Sequence, residues 1–234
     1  MIKYLSVRNM YKSNPVDWLN AIFHFSFAEY RNPDNVNFGP LRVLNDDLIG
    51  HGGFNTHPHK DMEILTYVVD GNLTHKDSLG NEGTLGRGEV QYMSAGTGIY
   101  HSEMNETQEI VRSLQIWILP NAESLEPVYG DYRFKWEERV DKLLHIASGK
   151  DGTAPVKINQ DVNIYAICLS EGGILDFPLP PGRQCYVVQV EGTSDINGQD
   201  MQEKDALEAV ETDLKITAST KAHILFLEMG KDII

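Results

Sequence analysis

Two histidines flank a proline in "NTHPHKDMEI" (His57 and His59), and "GTGIYHSEMN" repeats the one-apart spacing with His101 and Glu103. No other feature of the chain limits its fold as much. A strand turns successive side chains to opposite faces, so residues i and i+2 share a face about 6.6–7 Å apart. Two imidazoles placed in that way can reach one ion at about 2.1 Å. On a helix, i and i+2 point in nearly opposite directions, and helical metal pairs use i,i+3 or i,i+4 instead. Both pairs therefore require extended chain. Two such strands, side by side inside a barrel, would aim three imidazole nitrogens and one carboxylate oxygen at a common point. Pro58 fits an edge or a bulge, because it cannot donate to a ladder, and a barrel mouth is such a place.

The rest of the chain agrees with strands. Short alternating or apolar runs recur between Gly, Asn and Asp: "EILTYVVDG", "EVQYMSAG" and "SLQIWILP" in the first half, and "LLHIAS", "VNIYAICLS", "GGILDFPL", "QCYVVQVEG" and "AHILFLEMG" in the second. "FHFSFAEY" is expected as a strand with Phe23, Phe25 and Phe27 on one face and His24 on the other. "DSLGNEG" is a turn between two strands. "PVDWLNAI" is the one helix-tolerant segment of the first half. The polar, proline-punctuated stretch "LPNAESLEPVYGDYRFKWEERVDKLL" is expected to connect two lobes. Strand runs follow "EKDALEAVE" much as they follow "GRGEVQYMS", which hints at a duplicated unit. A sandwich or barrel architecture follows, as two domains over residues 1–125 and 126–234, with a single larger barrel as the alternative.

Composition closes several other routes. The chain has 234 residues and a formal net charge of −14, with Lys and Arg scattered, so it would repel a phosphate backbone and direct nucleic-acid binding is not expected. No apolar run reaches the ~18 residues of a membrane span, and the N-terminus does not read as a signal peptide. Cys168 and Cys185 are the only cysteines, which points to a reducing, cytoplasmic home.

Five of the eight histidines (His51, His57, His59, His75 and His101) lie close together in the first half. Of these, His51 reads as a loop residue beside two glycines, and His75 as a partner in a structural hydrogen bond. His145 and His223 have no ligand pattern near them. Glu63 shares parity with His59, but four residues along a straight strand is about 13 Å, so it could compete with Glu103 only if the chain turned. Otherwise it is a charge on the wall or a partner orienting a histidine. The glycines of "SAGTGIYHSE" allow a tight backbone turn before the second pair.

These residues, and the stretch 39–105 that contains them, closely resemble the pirin family of the cupin superfamily. "FSFAEY" adds to the likeness, and the second half resembles the pirin C-terminal domain more loosely. The resemblance implies an all-β bicupin of two antiparallel, jelly-roll-like β-barrels packed face to face, with metal only in the first. It also implies ligands at His57, His59, His101 and Glu103, which is what the parity argument reaches, and iron(II) as the metal. Nickel, cobalt, manganese, zinc or copper suit the same donors. Ser94 stands where many cupins carry proline. No H-x-H occurs in the second half, where "PPGRQCYVV" stands, and this argues against a second metal.

The expected activity is that of several bacterial relatives, a quercetin 2,3-dioxygenase taking a small aromatic substrate and dioxygen. Glu103 or a water would accept the proton of the flavonol hydroxyl. Phe38, Phe54 and Met93 are candidate walls. The alternative is a non-enzymatic module whose metal redox state is read by a basic protein partner. A different cupin chemistry on a small acid would need an arginine-lined pocket, and Arg42 and Arg87 are the only arginines in the matching region.

Overall fold

A computed structural model describes residues 1–231. Among them there is no α-helix; Val7–Asn9 and Trp136–Arg139 are short 3₁₀ turns. The first strands are β1 (Ile2–Leu5), β2 (Tyr11–Val16), β3 (Leu19–Phe23), β4 (Leu41–Ile49), β5 (Gly52–His59), β6 (Glu63–Asp70), β7 (Leu73–Asp77), β8 (Glu82–Leu85), β9 (Val90–Ser94), β10 (Ile99–Asn105), β11 (Val111–Ile118) and β12 (Val128–Tyr132). There follow β13 (Leu144–Gly149), β14 (Val156–Ile158), β15 (Val162–Leu169), β16 (Ile174–Phe177), β17 (Arg183–Glu191), β18 (Ser194–Ile196), β19 (Gln199–Met201), β20 (Ala206–Val210), β21 (Leu214–Ala218) and β22 (Ala222–Gly230).

The strands form two compact units. One comprises Tyr11–Lys135 with Ile158–Gln160; the other comprises Met1–Met10, Trp136–Lys157 and the chain from Asp161. This division differs from a single cut after residue 125 because edge strands follow their hydrogen-bond partners. β1 pairs with β20, from Ile2↔Ala209 to Leu5↔Ala206, and so belongs to the C-terminal unit. β12 pairs with β9, from Val128↔Ser94 to Tyr132↔Val90, and so extends the N-terminal one.

Each unit is a cupin-type antiparallel barrel made of a seven-stranded and a four-stranded sheet. The N-terminal orders are β12-β9-β6-β11-β4-β3-β2 and β5-β10-β7-β8; the C-terminal orders are β1-β20-β17-β22-β15-β13-β14 and β16-β21-β18-β19. Position for position the two units correspond, so the hint of duplication from "EKDALEAVE" and "GRGEVQYMS" matches β20 and β9 in the architecture.

The N-terminal core is a cluster around Leu19, Phe23, Ile49, Val68 and Leu73, with a second around Ile64, Met93 and Ile99. In the C-terminal unit, β16 and β21 occupy the places of β5 and β10, and they bury Phe177, Leu214, Ile216 and Ala218 in one continuous apolar cluster. Hydrocarbon fills the positions that carry imidazoles in the first barrel.

Three local expectations need correction. "PVDWLNAI" is not helical: Asp17-Trp18 turns the chain between β2 and β3, and Leu19, Ala21 and Phe23 are buried at period two. Pairing of β3 with both β2 and β4 overrides helix tolerance. "FHFSFAEY" is a strand only as far as Phe23; the chain then loops, held where the Ser26 amide donates to Asn35 and Arg42 Nη1 donates to the Ser26 and Val36 carbonyls. Lastly, the stretch expected as a connection carries β12.

Candidate metal centre

β5 and β10 are neighbours in the four-stranded sheet, with Ile99 opposite His59 and His101 opposite His57. Period two then turns His57, His59 and His101 to one face. The register slips between His101 and Glu103: Glu103 pairs with Phe54, so β5 carries one extra residue there. A bulge of this kind re-aims side chains, and here it frees the Asn55 carbonyl to accept from His57 Nδ1 at 2.7 Å. A carbonyl only accepts, so Nδ1 of His57 carries a proton, while its Nε2 is turned toward Nε2 of His101. Gly53 permits the close approach. Its φ is +152°, and a Cβ there would lie 2.2 Å from the Glu103 carbonyl oxygen.

The three imidazoles offer nitrogens that all lie within 4.8 Å of one another. Ring centroids are separated by 4.7 Å (His57–His59), 4.5 Å (His57–His101) and 4.8 Å (His59–His101). The Nε2 atoms of His57 and His101 are 3.1 Å apart. Two nitrogens about 2.1 Å from one ion, at an angle between square and tetrahedral, are separated by about 3.0–3.4 Å. The donor set therefore fits a transition-metal ion. Burial, followed by the neighbouring histidines, pushes the His101 imidazole down to about 2, and burial with His57 pushes His59 down to about 4. Both rings are neutral at neutral pH, as ligation requires.

Partners outside the cluster set the orientations. His75, from β7, places Nε2 3.2 Å from His101 Nδ1, so the second nitrogen of His101 is engaged away from the site while Nε2 aims into it. His75 itself stacks on Tyr129 at 4.7 Å. The expected structural hydrogen bond of His75 is therefore made to a candidate ligand. Glu103 is buried, and its carboxylate accepts from Thr66 Oγ1 at 2.7 Å and from Gln115 Nε2 at 2.8 Å. It stands outside the group of three nitrogens, on the same strand two residues from His101. Burial raises its proton affinity, and the Thr66, His57 and Gln115 interactions oppose that rise.

Glu63 is held elsewhere. Its carboxylate accepts from Tyr92, Ser94 and both the backbone and side chain of Asn159. His51 lies in a loop, bonded to the Thr107 carbonyl, and His24 is buried. His145 contacts Asn163, and His223 contacts Glu191, both far from this site in sequence and in the other unit.

The cluster lies in a cleft of ≈ 520 Å³ whose walls include Trp18, Phe27, Phe54 and Trp117. Trp18 meets Phe54 edge-on at 5.2 Å, Phe27 meets Trp117 at 5.4 Å, and His59 meets Trp117 at 4.8 Å. Of the expected walls only Phe54 lines it. Met93 is core beside Ile64, and Phe38 bridges to Leu41. Arg42 and Arg87 both donate to backbone carbonyls and lie outside the lining. Trp18, Trp117, Thr66 and Gln115 were not foreseen. The alternation of "SLQIWILP" places Gln115 and Trp117 on one face, and that signal was available.

The chain is similar to known proteins over nearly its whole length. Residues 5–118 match the family Pirin, and residues 145–229 match the quercetinase C-terminal cupin domain. The chain is 41% identical to a pirin-like protein of Caulobacter vibrioides, over 90% of this chain and 92% of that one. It is 38% identical to quercetin 2,3-dioxygenase of Escherichia coli K12, over 91% and 92%. The crystal structure of the bacterial pirin YhhW from Escherichia coli in complex with nickel(II) superposes with a TM-score of 0.90 at 36% identity, covering 98% of this chain and 99% of that one.

Proposed function

Because this chain belongs to the pirin family, we propose that it is a metal-dependent dioxygenase cleaving flavonols such as quercetin. The observation that carries this reading is the convergence of three imidazoles in an aromatic-walled cleft. We assign His57, His59 and His101 as ligands of one divalent transition metal, with Glu103 as the fourth. Each Glu103 oxygen accepts one protein hydrogen bond and keeps a lone-pair position for an ion or a proton. Iron(II) is the metal taken from the family resemblance, and nickel(II) is the ion in the Escherichia coli relative. When bound, such an ion supplies Lewis acidity toward the substrate's oxygens and redox chemistry toward dioxygen.

The chain's own residues supply the rest. A flavonol carries an acidic hydroxyl beside a carbonyl, and Glu103, whose proton affinity is raised by burial, is placed to accept that proton. Thr66 and Gln115 hold the carboxylate while it does so. Trp18, Phe54 and Trp117 offer a planar ring an apolar wall to lie against. The ring is then cleaved with dioxygen and carbon monoxide is lost. Among the described residues no helix is long and apolar enough to cross a membrane. The two cysteines are buried and unbridged, which supports a reducing cytoplasm as the setting.

The test is oxygen uptake by the metal-loaded protein with a panel of flavonols, beside elemental analysis of the natively expressed protein. Uptake with at least one flavonol, and its loss together with most of the metal in His101→Ala, is the expected result. Full metal occupancy with no uptake across the panel would overturn the enzymatic reading.

A further inference from the structure

The cleft contains a second polar site that the metal chemistry does not use. On β4, Asn45 and Asp47 are two residues apart and share the face turned into the cleft. Both are 3% exposed. The adjacent acid, Asp46, points the other way and is paired with Arg112 at 2.7 Å. Asn45 Oδ1 is buried with no hydrogen-bond partner, and the Asp47 carboxyl lines the same cleft beside it. A buried polar group without a partner is costly unless a ligand meets it. Burial, with Asp46 and Glu103 nearby, pushes the Asp47 carboxyl well above the usual carboxylate range. A carboxyl shifted in that direction takes up a proton more readily than an exposed one, and once protonated it can donate a hydrogen bond, as other buried acids do in apolar sites.

We propose that Asn45 and Asp47 form a subsite that reads a phenolic hydroxyl of the substrate, apart from the oxygens directed at the metal. The hydroxyl hydrogen is donated to Asn45 Oδ1, and its oxygen accepts from the Asp47 carboxyl. This proposal rests on the cleft taking a flavonol, and it names the hydroxylated ring as the part recognised. Aromatic walls bind any planar ring, whereas an orphaned amide oxygen beside a buried carboxyl rejects a ring lacking the matching hydroxyl. Anionic ring substituents are also disfavoured, because Glu103 and Glu29 share the lining.

Tryptophan-fluorescence titration of the metal-loaded protein tests this with two ligands, quercetin and 3-hydroxyflavone. The second keeps the enol and carbonyl of the first but lacks its other hydroxyls. The wild type is expected to bind quercetin about tenfold tighter, the worth of one well-made buried hydrogen bond. Asp47→Leu and Asn45→Leu are expected to remove the preference with metal content unchanged. Asp47→Asn, neutral and able to donate, is expected to keep it. Equal affinities in the wild type, a preference that survives Asp47→Leu, or no binding of either ligand would overturn the subsite. Oxygen uptake is scored separately: an Asp47-dependent preference without uptake keeps the subsite and sinks the dioxygenase reading, and uptake with no preference does the reverse.

Discussion

His75 is the residue whose neighbours say most about how the centre is tuned. It ligates nothing in the arrangement described, yet it faces His101 from the adjacent strand and sits 3.2 Å from its second nitrogen. A group in that place fixes both the ring plane and the nitrogen that carries the proton. The ring of His101 is buried. Replacing His75 by Phe keeps the ring volume and the stack on Tyr129 but deletes the hydrogen bond. Metal affinity is expected to fall about 10–100-fold, with far-UV circular dichroism unchanged. Nickel or cobalt titration followed by absorption spectroscopy measures it, and His75→Gln, which can offer an amide to the same nitrogen, should recover part of the loss. Unaltered affinity and an unaltered spectrum would reduce His75 to packing.

At the level of elements, the site is made by the seam between β5 and β10, and the seam closes only because Gly53 has no side chain. A Cβ at Gly53 would lie 2.2 Å from the Glu103 carbonyl oxygen and 2.8 Å from the Met104 Cα, and its φ of +152° is one that other residues rarely adopt. Gly53→Ala is therefore expected to part the strands at the bulge, at a cost of about 3 kcal/mol. Differential scanning calorimetry should show Tm lowered by roughly 5–10 °C, together with weakened metal binding, since His57 is re-aimed.

This seam also shows what the sequence could reveal. The pairing of His57 with His59 was readable because strand parity is a local, fixed geometry, and it survives any barrel built around it. The bulge at Asn55–Thr56 was not, since a one-residue slip between strands leaves no mark in either strand alone. Nor was the fate of Glu63, whose partner Asn159 lies 96 residues away in sequence. "NDDLIG" did hold a signal: two consecutive acids in a strand must face opposite ways, so one of Asp46 and Asp47 had to turn inward. The β2–β3 hairpin was missed because "PVDWLNAI" tolerates helix, and the ladders to β2 and β4 are decided by tertiary pairing.

On the scale of the whole molecule, the chain begins in one unit, builds the other, and returns. β1 adds to β20, and the segment it leads into satisfies a buried acid: Asp205 accepts from Tyr4 Oη at 2.6 Å, from the Val7 amide at 2.8 Å and from the Gln202 amide at 2.8 Å. Asp205 is fully buried. Deleting residues 1–10 removes two of those three donors and bares the β20 edge, at a cost on the order of 4 kcal/mol to the C-terminal barrel. None of the metal-centre residues belongs to that barrel. The truncated protein is therefore expected to keep one metal per chain while an unfolding transition moves to lower temperature. Limited proteolysis with mass spectrometry should find the new cleavage sites beyond Trp136, within β13–β22. Loss of metal in step with the deletion, or cuts confined to Tyr11–Lys135, would show that the N-terminal segment supports the first barrel instead. Dividing the chain at residue 125 would take β12 from β9, and Asn159 from Glu63, in the barrel that holds the histidines.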